Sequence, residues 1–243
     1  MAQEVFKRYE KKYLLTDGQY RDLMLVLHGM FVRDIYGRHT ICNIYFDTPD
    51  YQLIRTSIDK PVYKEKLRLR CYGTDIQDDS PVYVELKKKF ESVVYKRRME
   101  MTMEEARKYL YYGIKPARQG QIFKELDYVM KHYSLHPMAY ISYEREAFVC
   151  YTDSELRVTF DRNILGRSGE LDLKVKPYGT AILDKGMVLM ELKIPGAMPM
   201  WLGKLLADIG IYPISYSKYG EYYSRFVQPS VFWGDNRWFA YHE

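Results

Sequence analysis

Residues 64–73 read KEKLRLRCYG, with Lys64, Lys66, Arg68 and Arg70 on the even positions and Glu65, Leu67, Leu69 and Cys71 on the odd ones. Side chains alternate across a β-strand, so the stretch reads as a strand with four cations on one face. Like charges at that spacing repel unless water or an anion sits among them. An antiparallel strand with one face in the core and one in water gives the same alternation without any function. What the cations face has to be decided by the rest of the chain.

The pattern recurs. FKRYEKKYLL places Arg8, Glu10 and Lys12 on one parity, and PVYVELKKKF places Glu85, Lys87 and Lys89 opposite Val84 and Leu86. VVYKRRMEM aligns Lys96, Arg98 and Glu100; ELRVTFDR aligns Arg157, Thr159 and Asp161; VLMELKIPG aligns Glu191 and Lys193. Strand-like runs are read at 4–13, 40–46, 62–72, 81–89, 93–101, 139–149, 156–161, 171–176 and 187–194, too many for a simple α/β unit. The expected fold is α+β but mainly β: an antiparallel sheet closed into a barrel, with flanking helices. Thr16 with Gln19 and Thr102 with Glu105 form capping boxes that start two of them. A third has apolar spacing over 120–133, and a fourth follows Pro199 and stops at Gly210. Periodicity alone leaves open whether the charged parity coats the exterior or lines the bore. The recurrence of Arg and Lys with interspersed carboxylates suits many phosphate oxygens and a divalent ion.

The chain has 243 residues, 47% of them apolar and 16% aromatic, enough for an ample core. Its 37 basic against 32 acidic residues give a formal charge of +5, too mild for a nucleic-acid-binding surface, so an anion site has to come from local clustering. Cys42, Cys71 and Cys150 lack metal-ligand spacing and read as reduced structural thiols. The N-terminus has no apolar leader core and no segment approaches a membrane span, so a cytoplasmic protein is expected. Nothing marks a domain boundary; one domain over 1–243 is expected, with a core at about 4–225 and an aromatic tail at 226–243.

Taken together, RYEKKY, YFDT at 45–48, LRLR at 67–70, VELKKK at 84–89, YEREAF at 143–148, LRVTFDR at 156–162, MELKIPG at 190–196 and SKYGEYY at 217–223 resemble the VTC-type polyphosphate polymerase domain of the triphosphate tunnel (CYTH-like) metalloenzymes. The resemblance spans residues 4–225 in order. It implies a tunnel-shaped barrel in which basic residues grip a nucleoside triphosphate, a glutamate holds Mn²⁺ or Mg²⁺, and the γ-phosphate of ATP passes to a growing polyphosphate chain.

Carried over by motif, with the rest of the charged parity added, the expected catalytic set is Arg68, Arg70, Lys87, Arg145 and Lys218. The substrate-binding set is Lys12, Arg8, Lys96, Arg98, Arg157 and Lys193. Glu191 is the expected metal ligand, its bland alternative being an ion pair with a neighbouring cation; Glu10 and Glu85 either join it or only orient cations. Lys64 and Lys66 are read as solvated or at the barrel mouth. The expected partners are ATP, polyphosphate, and pyrophosphate or orthophosphate, with no nucleic acid; any membrane association would run through a partner protein.

The tunnel hydrolases open with Glu-x-Glu-x-Lys. Here Arg8 stands at the first acidic position, which leans away from two-metal hydrolysis. No histidine falls in a motif, and a phosphate acceptor, already anionic, needs no general base. The alternatives are a tunnel hydrolase with water as acceptor and a non-catalytic polyphosphate-binding module.

Overall fold

The computed structural model describes residues 8–91 and 93–228. The aromatic tail beyond 228 and the side chain of Arg8 therefore lie outside the described part. In chain order the strands are β1 (Arg8–Thr16), β2 (Phe31–Arg33), β3 (His39–Asp47), β4 (Tyr63–Tyr72), β5 (Pro81–Phe90), β6 (Val93–Thr102), β7 (His136–Cys150), β8 (Arg157–Arg167), β9 (Thr180–Ala181), β10 (Met187–Pro195) and β11 (Pro213–Ile214). The helices are α1 (Asp17–Leu27), α2 (Gln52–Ile58), α3 (Met103–Tyr112), α4 (Gln121–His132), α5 (Met200–Asp208) and α6 (Lys218–Tyr222), the last running into a π-helical turn, Tyr223–Val227. Both capping boxes form, at Thr16 and at Thr102. The strand expected over 171–176 does not form: the Asp172 carboxylate accepts from the backbone N–H of Lys174, fixing an Asx turn in its place.

All strands belong to one antiparallel sheet, ordered β11-β1-β10-β8-β7-β3-β4-β5-β6, with β2 on β7 and β9 on β8. Among the described residues this hydrogen-bonded path has two ends, β11 and β6, so the ladder itself does not show the closure of the expected barrel. The free edge of β1 is taken at Lys12 and Tyr13 by β11, whose Pro213 has no N–H to donate. The strands next to the two ends are linked by side chains instead: Lys87 of β5 lies 3.9 Å from Glu10 of β1. The sheet thus curls its charged parity inward.

The apolar parity faces outward and is covered by helices. Leu67, Leu69, Val82, Val84 and Leu86 pack under α3 and α4 through Ala106, Leu110, Phe123 and Leu126. Val158, Phe160, Val188, Met190 and Leu192 pack under α1 and α5 through Leu23, Leu27, Leu202 and Leu206. A third cluster lies on the inner side of the same sheet, where Ile41, Tyr45, Ile141 and Tyr143 meet Ile54 of α2 and Tyr219, Tyr222 and Tyr223 of the C-terminal helical segment. One part of the inner face is therefore filled with aromatics, and the rest is left to charge.

Candidate functional site

Four carboxylates organise the inner face. The most enclosed is Asp161 on β8, which accepts a fork from Arg145 of β7 (Nε 2.6 Å, Nη2 2.7 Å) and a third bond from Lys218 Nζ at 2.6 Å. It is fully buried. Burial alone would push its carboxyl up, but Arg145 and Lys218 outweigh that and hold it well below the carboxylate range. Tyr143 lies against the same group: its hydroxyl accepts from Arg70 Nη2 at 2.9 Å, and Lys218 Nζ sits 4.3 Å above its ring. Burial would raise the phenol; Arg70, Arg145 and Lys218 win, and it titrates below its usual value.

Glu85 on β5 is the second centre. Arg68 donates to it from Nε at 2.8 Å, Arg98 from Nε at 2.7 Å, and Lys96 Nζ stands 2.7 Å away. Arg70 lies farther off, at 3.9 Å, and donates instead from Nε to the buried Asn43 Oδ1 at 2.8 Å. Burial again opposes ionisation, but Arg68, Arg70 and Lys96 keep Glu85 charged far into acid.

Glu191 on β10 and Glu10 on β1 form a checkerboard with lysines, since Lys12 pairs in register with Glu191 and Glu10 with Lys193. Lys12 is 3.7 Å from Glu10, and Lys193 is 3.9 Å from Glu191. Burial raises the Glu191 carboxyl, and Arg145, Lys12, Lys218 and Lys193 bring it down to about 2. Its partner across β8, Thr159, carries a buried hydroxyl without a hydrogen-bond partner. Lys12 donates from Nζ to the carbonyl of Tyr216 at 2.9 Å; burial lowers its pKa, and Glu191 opposes the shift.

The expected set is thus largely brought together. Lys12, Arg145, Lys218 and Lys193 surround Glu191 and Asp161; Arg68, Arg70, Lys96 and Arg98 surround Glu85; Lys87 joins the two groups through Glu10. Arg157 is peripheral, exposed and bonded through Nε to the carbonyl of Ser154. Alternation does not single out two further residues. Asp161 shows in sequence only as one acid on the charged parity. Lys66 is not solvated but points inward and donates to Ser217 Oγ at 2.9 Å. Its signal was parity shared with Arg68 and Arg70; what the sequence hides is that α6 covers that end of the strand.

Glu10, Glu85 and Glu191 do not converge, and among the described residues no group of three or more His, Cys, Asp or Glu side chains could hold a metal ion. Each carboxylate is engaged by cations. Glu191 and the Thr159 hydroxyl are hard oxygen donors, too few for a metal site of their own. They fit a divalent cation that brings phosphate oxygens and water as its remaining ligands, as Mg²⁺ commonly does.

A profile of the VTC domain family matches residues 7–227. No curated protein sequence matches the chain. Among solved structures, a candidate adenylate cyclase from Bacillus halodurans is similar at 16% identity and TM-score 0.54, covering 90% of this chain and 96% of that one. A candidate adenylyl cyclase from Hippeastrum, described as having a dominant triphosphatase activity, is similar at 16% identity and TM-score 0.54, covering 88% and 94%. At that identity the likeness is one of fold. Among the described residues no helix is long and apolar enough to cross a membrane.

Proposed function

The chain belongs to the VTC domain family, and from that premise we propose that it is a polyphosphate polymerase, moving the γ-phosphate of ATP onto a polyphosphate chain, pyrophosphate or orthophosphate held on the same inner face. The observation that carries this reading is the surplus of positive charge there: the four acids Glu10, Glu85, Asp161 and Glu191 are shared among Lys12, Lys87, Arg68, Arg70, Lys96, Arg98, Arg145, Lys218 and Lys193. A face more cationic than its own acids require suits a ligand longer than one triphosphate.

Phosphoryl transfer asks for neutralised charge and in-line placement more than for covalent chemistry. Arg68 and Arg70 supply guanidinium forks already oriented by Glu85 and Asn43, so less is lost in fixing them on phosphate oxygens. Lys12, Lys87 and Lys218 supply compact charges. Arg145 is held rigid by Asp161. A divalent cation, Mn²⁺ or Mg²⁺, would be held by Glu191 together with phosphate oxygens and would neutralise further phosphate charge. The acceptor is an anion at neutral pH, so no side chain is needed to deprotonate it.

The second reading is triphosphate hydrolysis on the same face, favoured by the activity described for the Hippeastrum protein. Incubation with ATP and Mn²⁺, counting ADP, orthophosphate and gel-resolved polymer together, separates the two. ADP with polymer and little orthophosphate supports the polymerase; orthophosphate equal to ADP, with no polymer, establishes the hydrolase. ATP that binds without turnover leaves a binding module.

A further inference from the structure

Three consecutive residues before and at the start of α6 are each tied to a different wall of the inner face. Lys12 of β1 donates to the Tyr216 carbonyl, Lys66 of β4 donates to Ser217 Oγ, and Lys218 donates to Asp161 of β8. Of the three side-chain cations, Lys12 and Lys218 have carboxylates beside them. Lys66 faces Lys64 and Arg68 on its own strand, Lys87 on β5, Lys12 on β1 and the Ser217 hydroxyl. Glu10, on the facing strand, is engaged by Lys12 and Lys87. The Ser217 hydroxyl also accepts from the Gly220 N–H as the cap of α6, so its oxygen cannot offer Lys66 more than a neutral hydrogen bond.

A half-buried ammonium on which four cations act, and whose hydrogen-bond partner is a neutral hydroxyl, is costly to keep protonated. Burial and the surrounding cations bring Lys66 down to about 7. An anion arriving among Lys12, Lys66, Lys87 and Arg68 reverses the sign of that local field. We propose that the phosphate chain seats against the Lys66–Ser217 pair and that its arrival charges Lys66, so that binding takes up a proton from solvent. The inference rests on the anion-binding reading of the inner face and adds where the anion sits and what its binding is linked to. The Lys66 amine takes one proton as the anion enters and releases it as the anion leaves.

The test is calorimetric binding of inorganic triphosphate to the intact chain at pH 8, in buffers of different ionisation enthalpy, beside Lys66→Arg and Lys66→Gln. The slope of heat against buffer enthalpy gives protons taken up; protons exchanged by triphosphate itself are common to all three proteins. Wild type should take up close to one proton more than Lys66→Arg, because an arginine enters the complex already charged. Its affinity should weaken by about tenfold per pH unit above 7 relative to Lys66→Arg, and Lys66→Gln should bind weakly at every pH. Equal proton uptake in wild type and Lys66→Arg, with triphosphate bound by both, overturns the linkage and leaves the anion-binding reading intact. Failure of wild type to bind triphosphate at all overturns both.

Discussion

Arg145 spends its guanidinium fork on Asp161, Nε to Oδ1 at 2.6 Å and Nη2 to Oδ2 at 2.7 Å, rather than leaving it open. An arginine so held is not a free clamp for phosphate; it is a fixed positive wall whose position Asp161 determines. Lys218 shares the same carboxylate, so one acid sets the place of two cations from β7 and α6.

Asp161→Asn should therefore cost both stability and activity. Removing the charge of the fully buried Asp161 leaves the largely enclosed Arg145 and Lys218 uncompensated, which is expected to destabilise by about 3–5 kcal/mol. Denaturant unfolding with an unchanged slope checks it. A loss below about 1 kcal/mol would mean that solvent screens the pair as it does at a surface.

Acid stability follows from the same carboxylates. Asp161 and Glu85 are depressed in the fold from ordinary values of 3.8 and 4.5. Their contribution is present above those values and is lost as pH falls through and below them. Stability should hold from neutrality to about pH 5 and then fall steeply, and less steeply in an Asp161→Asn, Glu85→Gln double variant. Lys66 works in the opposite range: lowered from 10.5 to about 7, it binds its proton more readily unfolded than folded. The ligand-free protein should therefore gain stability from this group as pH rises from 7 towards 10, and Lys66→Gln should flatten that rise.

Much of this face was legible in alternation alone, since a two-residue period on β1, β4, β5, β6, β8 and β10 sorts cation from apolar residue without any structure. Alternation does not carry the sign of the curl. That came from contacts between strands distant in order, such as Lys87 with Glu10. Nor does it show closure, because the edge of β1 is taken by the short β11, whose two residues carry no periodic signal. The position of Lys66 is hidden for a related reason. The segment covering it, Tyr216–Ser217–Lys218, comes from the far end of the chain, and the cap at Ser217 holds a helix of five residues, too short to announce itself.

Glu191→Gln isolates the acid proposed to accompany a divalent ion. The amide keeps the shape but removes the charge that would hold a hard cation and that offsets Lys12, Lys193 and Arg145. Metal-dependent turnover should be lost, while metal-free triphosphate binding should hold or tighten, since one negative charge has left the face. Full turnover at limiting Mn²⁺ would make Glu191 only an ion-pair partner.

The placement of α6 can be tested away from charge, at Gly166 on β8. A Cβ there would collide with Cδ2 of Tyr222, and would lie 2.7 Å from Cε2 of the same ring and 3.0 Å from Cδ1 of Ile182. Tyr222 ends the helix whose cap is Ser217 and whose first residue is Lys218, so a methyl at 166 pushes on the element that carries both. Gly166→Ala should destabilise by about 1–3 kcal/mol through overpacking. It should also reduce turnover, although residue 166 touches no charged group of the site. Adding Tyr222→Leu, which removes the ring that the methyl meets, should restore much of the lost stability. If the single variant loses stability and the double variant recovers none of it, the strain lies against Ile182 rather than against α6, and the coupling between Gly166 and the phosphate site fails.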